Sequence, residues 1–150
     1  MTAVVASPVG PLSADSDGAA ITRLQWNAKG TLTEGALAAA FVAQLTEYFA
    51  GTRKDFDLPL APAGGAFQQR FHDALLAIPY GNTRTYGELA KDLDVSPQAI
   101  GQACGANPIA ILIPCHRVLA ADGLGGYSGS GGIETKVTLL RLEGAAGLLI

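Results

Sequence analysis

Along the first third of the chain, apolar positions come in short groups set apart by turn formers. In "VVASPVGPLSADSDGAAITRLQW" the punctuation is Pro8, Gly10, Pro11 and Asp17-Gly18, which predicts a small antiparallel sheet with a tight Asp-Gly hairpin. Trp26 closes one of these strands and is read as a packing residue. From Glu34 the period lengthens. Leu37, Phe41, Leu45 and Tyr48 recur at helical spacing in an alanine-rich segment that ends at Gly51, so a helix follows the sheet. The segment "DLPLAPAGGAF" concentrates Pro59, Pro62, Gly64 and Gly65, which predicts a linker over about residues 57–65.

Beyond it, Phe67, Phe71, Leu75 and Ile78 lie on one helical face that stops at Pro79 and the turn "PYGN". His72, beside that stripe, is read as a packed or partly exposed helix residue. Thr85 and Glu88 frame a T-x-x-E capping box opening the short helix "YGELAKDLD". Ser96-Pro97 then opens a second helix running through "QAIGQACGA". Two short helices joined by "DVS" are a helix-turn-helix candidate, a weak signal by itself. Ala99, Gly101, Ala103, Gly105 and Ala106 leave the second helix nearly without side chains, at a cost in helix propensity. Two readings account for that: close packing against another helix, or a thin helix pressed into the minor groove of DNA. "AILIPCHRVL" reads as an apolar extended segment interrupted by Pro114, and "AADGLGGYSGSGG" as a glycine-rich loop. A last helix around "ETKVTLLRLEG" puts Ile133, Val137 and Leu140 on one side and Glu143 near its end.

Composition narrows the classes. The chain has 150 residues, 49% apolar and 15% charged, enough for one good core or two small subdomains and too apolar for disorder. No apolar run is long enough to span a bilayer, and "MTAVVASPVG" lacks the basic start and apolar core of a secretory signal, so a cytoplasmic location is expected. The net charge of −3 is scattered and gives no footprint of a protein that grips phosphates by charge alone. Cys104 and Cys115 have neither CxxC spacing nor a histidine cluster, so no metal and no cofactor are expected. The glycine-rich loop lacks the lysine of a phosphate loop, which disfavours nucleotide binding.

The chemistry concentrates at "PCHR". A free thiol needs a base or a positive neighbour to become a nucleophile at neutral pH. His116 is a candidate base, although adjacent residues of an extended segment face opposite ways and a bridging water would be needed. A carboxylate such as Glu143 is a candidate to hold the other imidazole nitrogen.

The stretches "FQQRFHDALLAIPYGNTRTYGELAKDL", "GQACGANPIAILIPCHRVL", "GGYSGSGG" and "LLRLEG" together resemble the O6-alkylguanine-DNA alkyltransferases, also called methylated-DNA-protein-cysteine methyltransferases. "SPVGPL" and "EYFAGTRKDFDLPL" extend the resemblance to nearly the whole chain. It implies an α+β fold, with a small ribonuclease-H-like antiparallel sheet domain (residues 1–63) packed on a helical carboxy-terminal domain with a helix-turn-helix (residues 64–150). It implies a monomer whose partner is DNA containing alkylated guanine, with O4-alkylthymine a further candidate substrate. Cys115 would accept the alkyl group once and stay modified. By the same resemblance His116 is the water-mediated base, Glu143 completes the relay and Asn107 braces the active-site loop. Tyr86 helps rotate the nucleotide out, Tyr127 and Ser128 line the guanine pocket, and the carbonyls of Cys115 and Val118 read the exocyclic amine. Arg117 fixes the fold. Thr85, Gln98, Ala99, Gly101 and Gln102 fall where the family meets DNA.

Gln98 stands where most members carry an arginine that fills the gap left by the flipped base. Between Phe67 and Arg117 the formal charges cancel, with Arg70, Arg84, Lys91 and Arg117 against Asp73, Glu88, Asp92 and Asp94. Cys104 and His72 are departures too. Two alternatives follow: a sensor of alkylated bases, or alkyl transfer from a non-duplex or small-molecule substrate.

Overall fold

The computed structural model describes residues 1–145. The chain divides into two compact units, residues 1–63 and the part from Gly64 onward.

In the first unit, β1 (Ser13–Ser16) pairs antiparallel with β2 (Ile21–Gln25), with Ser13 opposite Gln25 and Ala14 opposite Leu24. The connection is longer than the two-residue turn expected. Asp17 closes it with its own side chain, whose Oδ1 accepts from the amides of Ala19 and Ala20 at 2.9 Å each, and Gly18 supplies a φ of +99°. Part of the expected linker is also ordered against the sheet: Ile21 donates to the Pro59 carbonyl and Ala61 to the Ile21 carbonyl, both at 2.8 Å. The helix α1 (Ala36–Phe49) buries Ala38, Phe41, Leu45 and Tyr48, the face its spacing predicts with Ala38 taking the place of Leu37. Gln44 is buried on the same helix, and its carboxamide satisfies both backbone groups of Asp57.

In the second unit, α2 (Ala66–Leu76) buries Phe71, His72 and Leu75. The two-residue strand β3 (Arg84–Thr85) leads directly into α3 (Tyr86–Leu93). The capping box forms, with Thr85 Oγ1 accepting from the Glu88 amide at 3.1 Å and Glu88 Oε1 accepting from the Thr85 amide at 2.9 Å. The helix ends at Asp94 in the left-handed region, after which the Val95 amide returns to the Ala90 carbonyl. Ser96 then caps α4 (Pro97–Gly105) by accepting from the Ala99 amide at 3.1 Å. These terminus signals make the turn between α3 and α4 short and defined, and the pair is a helix-turn-helix.

The segment expected to be extended is not. It winds through turns, with Ile111 at a φ of +72°, and Pro114 (φ −82°, ψ 67°) forms an inverse γ-turn closed by the Cys115 amide on the Ile113 carbonyl at 2.8 Å. Cys115–Arg117 follow as one 3-10 turn. Only then comes β4 (Val118–Leu119), parallel to β3 with Arg84 opposite Val118 and Thr85 opposite Leu119. That pairing fixes the start of α3 beside the end of the PCHR segment.

The last helix, α5 (Gly132–Glu143), buries Thr135, Lys136, Leu139, Leu140 and Glu143. The expected stripe of Ile133, Val137 and Leu140 is therefore rotated, and Ile133 is 42% exposed. The reason lies at the carboxy-terminal end, where Glu143 is held inside by hydrogen bonds from the buried Arg117 guanidinium and the His116 imidazole and sets the helix face for the turns before it. Among the described residues no helix is long and apolar enough to cross a membrane.

Candidate active site

The site is built on the buried run Pro108–Val118. A β-branched residue in the left-handed region is disfavoured, so Ile111 needs its surroundings to hold it. Asn107 does this from one end of the loop: its Nδ2 donates to the Ile113 carbonyl at 2.8 Å and its Oδ1 accepts from the Ile109 amide at 3.0 Å. The same amide group is a hydrogen-bond donor toward the Cys115 sulfur. Bracing the loop and polarising the thiol are thus one residue's work.

Cys115 is buried, and that burial pushes its thiol above the ordinary range, although hydrogen bonds from Asn107 and Tyr127 and the nearby Lys136 charge pull the other way. The resting sulfur is a protonated thiol. The Tyr127 hydroxyl faces it, and burial together with the cysteine beside it raises the phenol well above its usual value.

His116 is completely buried, with Nε2 2.7 Å from Glu143 Oε2. A carboxylate only accepts, so the proton sits on Nε2 and Nδ1 is left as a lone pair. Burial lowers the imidazole's affinity for a second proton more than Glu143 raises it, and Nδ1 is buried without a protein partner. A neutral imidazole with a bare, buried lone pair is a general base in waiting.

Glu143 receives more than the histidine. Arg117 Nε donates to Oε1 at 2.8 Å and Nη2 to Oε2 at 3.1 Å, while Nη1 donates to the Ile78 carbonyl at 2.7 Å. Burial works to raise this carboxyl, but the bonds and charges of His116 and Arg117 prevail and hold it at about 2. The guanidinium also lies 5.9 Å from the centre of the Tyr80 ring. Arg117 therefore locks α5 to the loop after α2.

Lys136 was not singled out from sequence. It is fully buried, and its Nζ donates to the Val118 carbonyl at 2.6 Å and the Gly126 carbonyl at 3.0 Å, 5.8 Å from the Tyr86 ring. Burial lowers its proton affinity and the two thiols counteract that. The signal was available: Lys136, Leu140 and Glu143 share a helical face at i, i+4, i+7, so a reading that placed Glu143 inward also places the lysine inward. The Val118 carbonyl, expected to read a base amine, already accepts this ammonium and keeps one lone pair for another donor. The Cys115 carbonyl accepts from the Val118 amide.

The pocket in front of the thiol, about 270 Å³, is lined by Tyr86, Cys104, Cys115, Tyr127, Ser128 and the glycines 101, 105 and 126. Gly125, at φ +70°, permits the loop to lie on Tyr86, since a Cβ there would meet the ring at 2.9 Å. Ser128 Oγ reaches the Cys104 carbonyl at 3.5 Å. Burial pushes the Cys104 thiol up to about 12, so it stays neutral. Gln98, Gly101 and Gln102 are exposed along α4, Ala99 is half-buried, and only Gly101 of this set reaches the pocket. The Thr85 hydroxyl is occupied as a helix cap. At Gly101 and Gly105 a Cβ would meet nothing within 4 Å, and neither has a positive φ. Close packing against another helix therefore does not explain those two glycines. Among the described residues there is no group of three or more His, Cys, Asp or Glu placed to hold a metal ion.

Two family profiles cover the chain: "6-O-methylguanine DNA methyltransferase, ribonuclease-like domain" over residues 1–62 and "6-O-methylguanine DNA methyltransferase, DNA binding domain" over residues 66–145. A methylated-DNA–protein-cysteine methyltransferase of Mycobacterium leprae is 45% identical over 147 residues, 91% of this chain and 88% of the relative. A DNA base-flipping protein of Thermus thermophilus is 42% identical over 144 residues, covering 93% of this chain and 97% of its own. The crystal structure of Mycobacterium tuberculosis OGT in complex with DNA superposes with a TM-score of 0.83 at 44% identity, over 94% of this chain and 91% of that one.

Proposed function

The chain belongs to the 6-O-methylguanine DNA methyltransferase family, and from this premise we propose that its direct, single-turnover repair of alkylated DNA ends on Cys115. The observation that carries the assignment is the relay behind that thiol: an ionised Glu143 holding His116 so that its buried Nδ1 is bare. Cys104, in the same pocket, is not part of that relay.

The reaction has a simple balance. The Cys115 sulfur attacks the carbon on guanine O6, the S–C bond forms as the C–O6 bond breaks, and the base leaves as guanine. The thiol proton passes through a water to His116 Nδ1, and the leaving base is protonated in turn, so the net transfer exchanges one proton for one alkyl group. Glu143 stabilises the imidazolium that forms in between. Because the buried thiol is protonated at rest, thiolate is produced in the pocket only as it is needed. Lys136 supports the developing charge and, by tying the Val118 and Gly126 carbonyls, holds the glycine-rich loop over the base. Tyr86 donates to the base, and Tyr127 and Ser128 line its pocket. A thioether has no ready leaving group, so the protein is consumed.

The target atom lies inside the base stack and must be turned out, at roughly a few kcal/mol. The bare face of α4, with Gly101 and Gly105 open to solvent, suits close approach to a minor groove. Thr85, Gln98, Ala99 and Gln102 flank that face as the DNA-contacting set. We assign DNA contact and chemistry to residues 64–150, and place the protein in the cytoplasm as a monomer, where two unpaired cysteines remain thiols.

Incubation with duplex DNA containing O6-methylguanine should add one methyl group to the intact protein, and peptide mapping should locate it on Cys115. Because Cys104 shares the pocket, mapping decides the matter. A methyl on Cys104, or unmodified protein after long incubation, refutes the assignment.

A further inference from the structure

A second buried histidine lies behind α4, outside the relay. His72, on α2, is 2% exposed. Its Nε2 is 3.0 Å from the carboxamide nitrogen of Gln68, one helical turn earlier, and that nitrogen also donates to the Ala103 carbonyl in the last turn of α4 at 2.9 Å. The contact with a carbonyl fixes the orientation of the amide, so both of its hydrogens are used. His72 Nε2 must then accept, which makes the imidazole neutral with its proton on Nδ1, and Nδ1 is buried with no partner. Gly64, at φ +144°, leaves room for the Gln68 stem, because a Cβ there would meet Gln68 Cγ at 2.6 Å. A buried donor is left unsatisfied so that one glutamine reaches one carbonyl.

We propose that the Gln68–His72 pair is a positioning device for the reaction: neutral His72 holds the Gln68 amide onto Ala103 and so sets the turn of α4 that carries Cys104 and Gly105 into the pocket wall. Its role in repair rests on the function proposed above. Protonation would put an N–H on Nε2 against the amide N–H. The amide must then turn its oxygen to the imidazolium, and it can no longer donate to Ala103. The groups around the pair are few. Asp73, the next residue on α2, favours the charged imidazole less than burial opposes it, and Arg70 of α2 is exposed. On α4 the one titratable side chain is the neutral Cys104 thiol. On α3 the charged residues Glu88, Lys91 and Asp92 are exposed, and Tyr86 faces the pocket. Nothing else on these helices offsets a charge at His72.

The test uses the full chain, with Gln68→Leu to remove the link and His72→Gln to provide an acceptor that does not titrate. Hydrogen exchange of the amides of residues 103–107, corrected for intrinsic rates, should be slower in the wild type than in Gln68→Leu at pH 7.5. The expected factor is about fivefold, the worth of one net hydrogen bond. On acidification the wild type should converge on Gln68→Leu, whereas His72→Gln keeps its protection. Methyl transfer from O6-methylguanine duplex gives the second readout. The ratio of wild-type to His72→Gln rates should be constant above pH 7 and fall by about the same factor in acid, because His116 acts equally in both proteins and cancels. Equal protection in wild type and Gln68→Leu, or a flat rate ratio across pH, overturns the proposal. If no methyl is transferred at any pH, the repair assignment fails while the exchange result still decides the role of the pair.

Discussion

Glu143 accepts from three nitrogens, His116 Nε2 and Arg117 Nε and Nη2, in a buried setting. Its carboxylate orients the base and ties α5 to the rest of its unit, so catalysis and stability meet on one side chain. Glu143→Gln turns one acceptor oxygen into a donor facing donors. It should lower stability by about 3 kcal/mol, the scale for breaking a buried ion pair, and slow methyl transfer well beyond what that loss explains. The pH dependence has a definite sign. Glu143 is held at about 2 in the folded protein, below its unfolded value of about 4.3, so its contribution is complete above that value and is lost as pH falls toward 2. His72 and His116, the chain's two histidines, are both buried with proton affinity lowered chiefly by burial. They withhold protons that the unfolded chain takes up, so acid begins to cost stability at about pH 6.5, the ordinary imidazole value. Urea midpoints measured from pH 7 to 3 should fall in two stages in the wild type. In Glu143→Gln the stage below pH 4 should shrink, leaving only what the hydrogen-bonded carboxylates of Asp17 and Glu88 supply, and a stage as large as the wild type's would show that Glu143 is not responsible.

At the scale of elements, α4 is the sharpest case. Gly101 has no steric reason within the protein to be glycine, because a Cβ there meets nothing and its φ is not positive. In a helix interior Gly101→Ala should therefore stabilise the fold by about 0.5–1 kcal/mol. If the bare face of α4 enters a groove, the same substitution should weaken duplex binding and slow transfer from duplex. Denaturation and binding measured on one variant separate the two effects, and a stabilised protein that binds duplex as tightly as before refutes the groove reading. The helix-turn-helix was legible in the sequence because its limits are written in local chemistry: the Thr85/Glu88 box and the Ser96 cap act over three residues. The PCHR segment was not, since Ile111 in the left-handed region and the γ-turn at Pro114 follow from long-range bracing by Asn107, which no hydrophobic period records. Lys136 escaped for a related reason. A search for apolar stripes passes over a charged residue that becomes buried only because the Val118 and Gly126 carbonyls accept from it. Cys115 and His116 stood out as a reactive pair from residue types alone, whereas a role for Asn107 came only from the family resemblance.

Over the whole molecule, electrostatics sets how the substrate can be held. The net charge is −3, and the charged residues from Phe67 to Arg117 cancel, while α4 itself carries no charge. Duplex affinity must then come from shape and backbone contact more than from counterion release, which predicts weak binding with a shallow salt dependence. Gln98 is exposed in the first turn of α4, where a side chain can reach a duplex without touching the pocket. Gln98→Arg should tighten duplex binding and steepen the slope of log affinity against log salt by about one phosphate contact. It should also accelerate transfer from duplex, and leave transfer from free O6-methylguanine unchanged, because the base and thiol meet beyond its reach. Comparing both substrates at several salt concentrations makes the result interpretable. If Gln98→Arg leaves duplex binding and rate as they were, α4 does not approach DNA in this manner. A single-stranded or small substrate, entering the pocket without a groove, would then explain the neutral face better than duplex repair does.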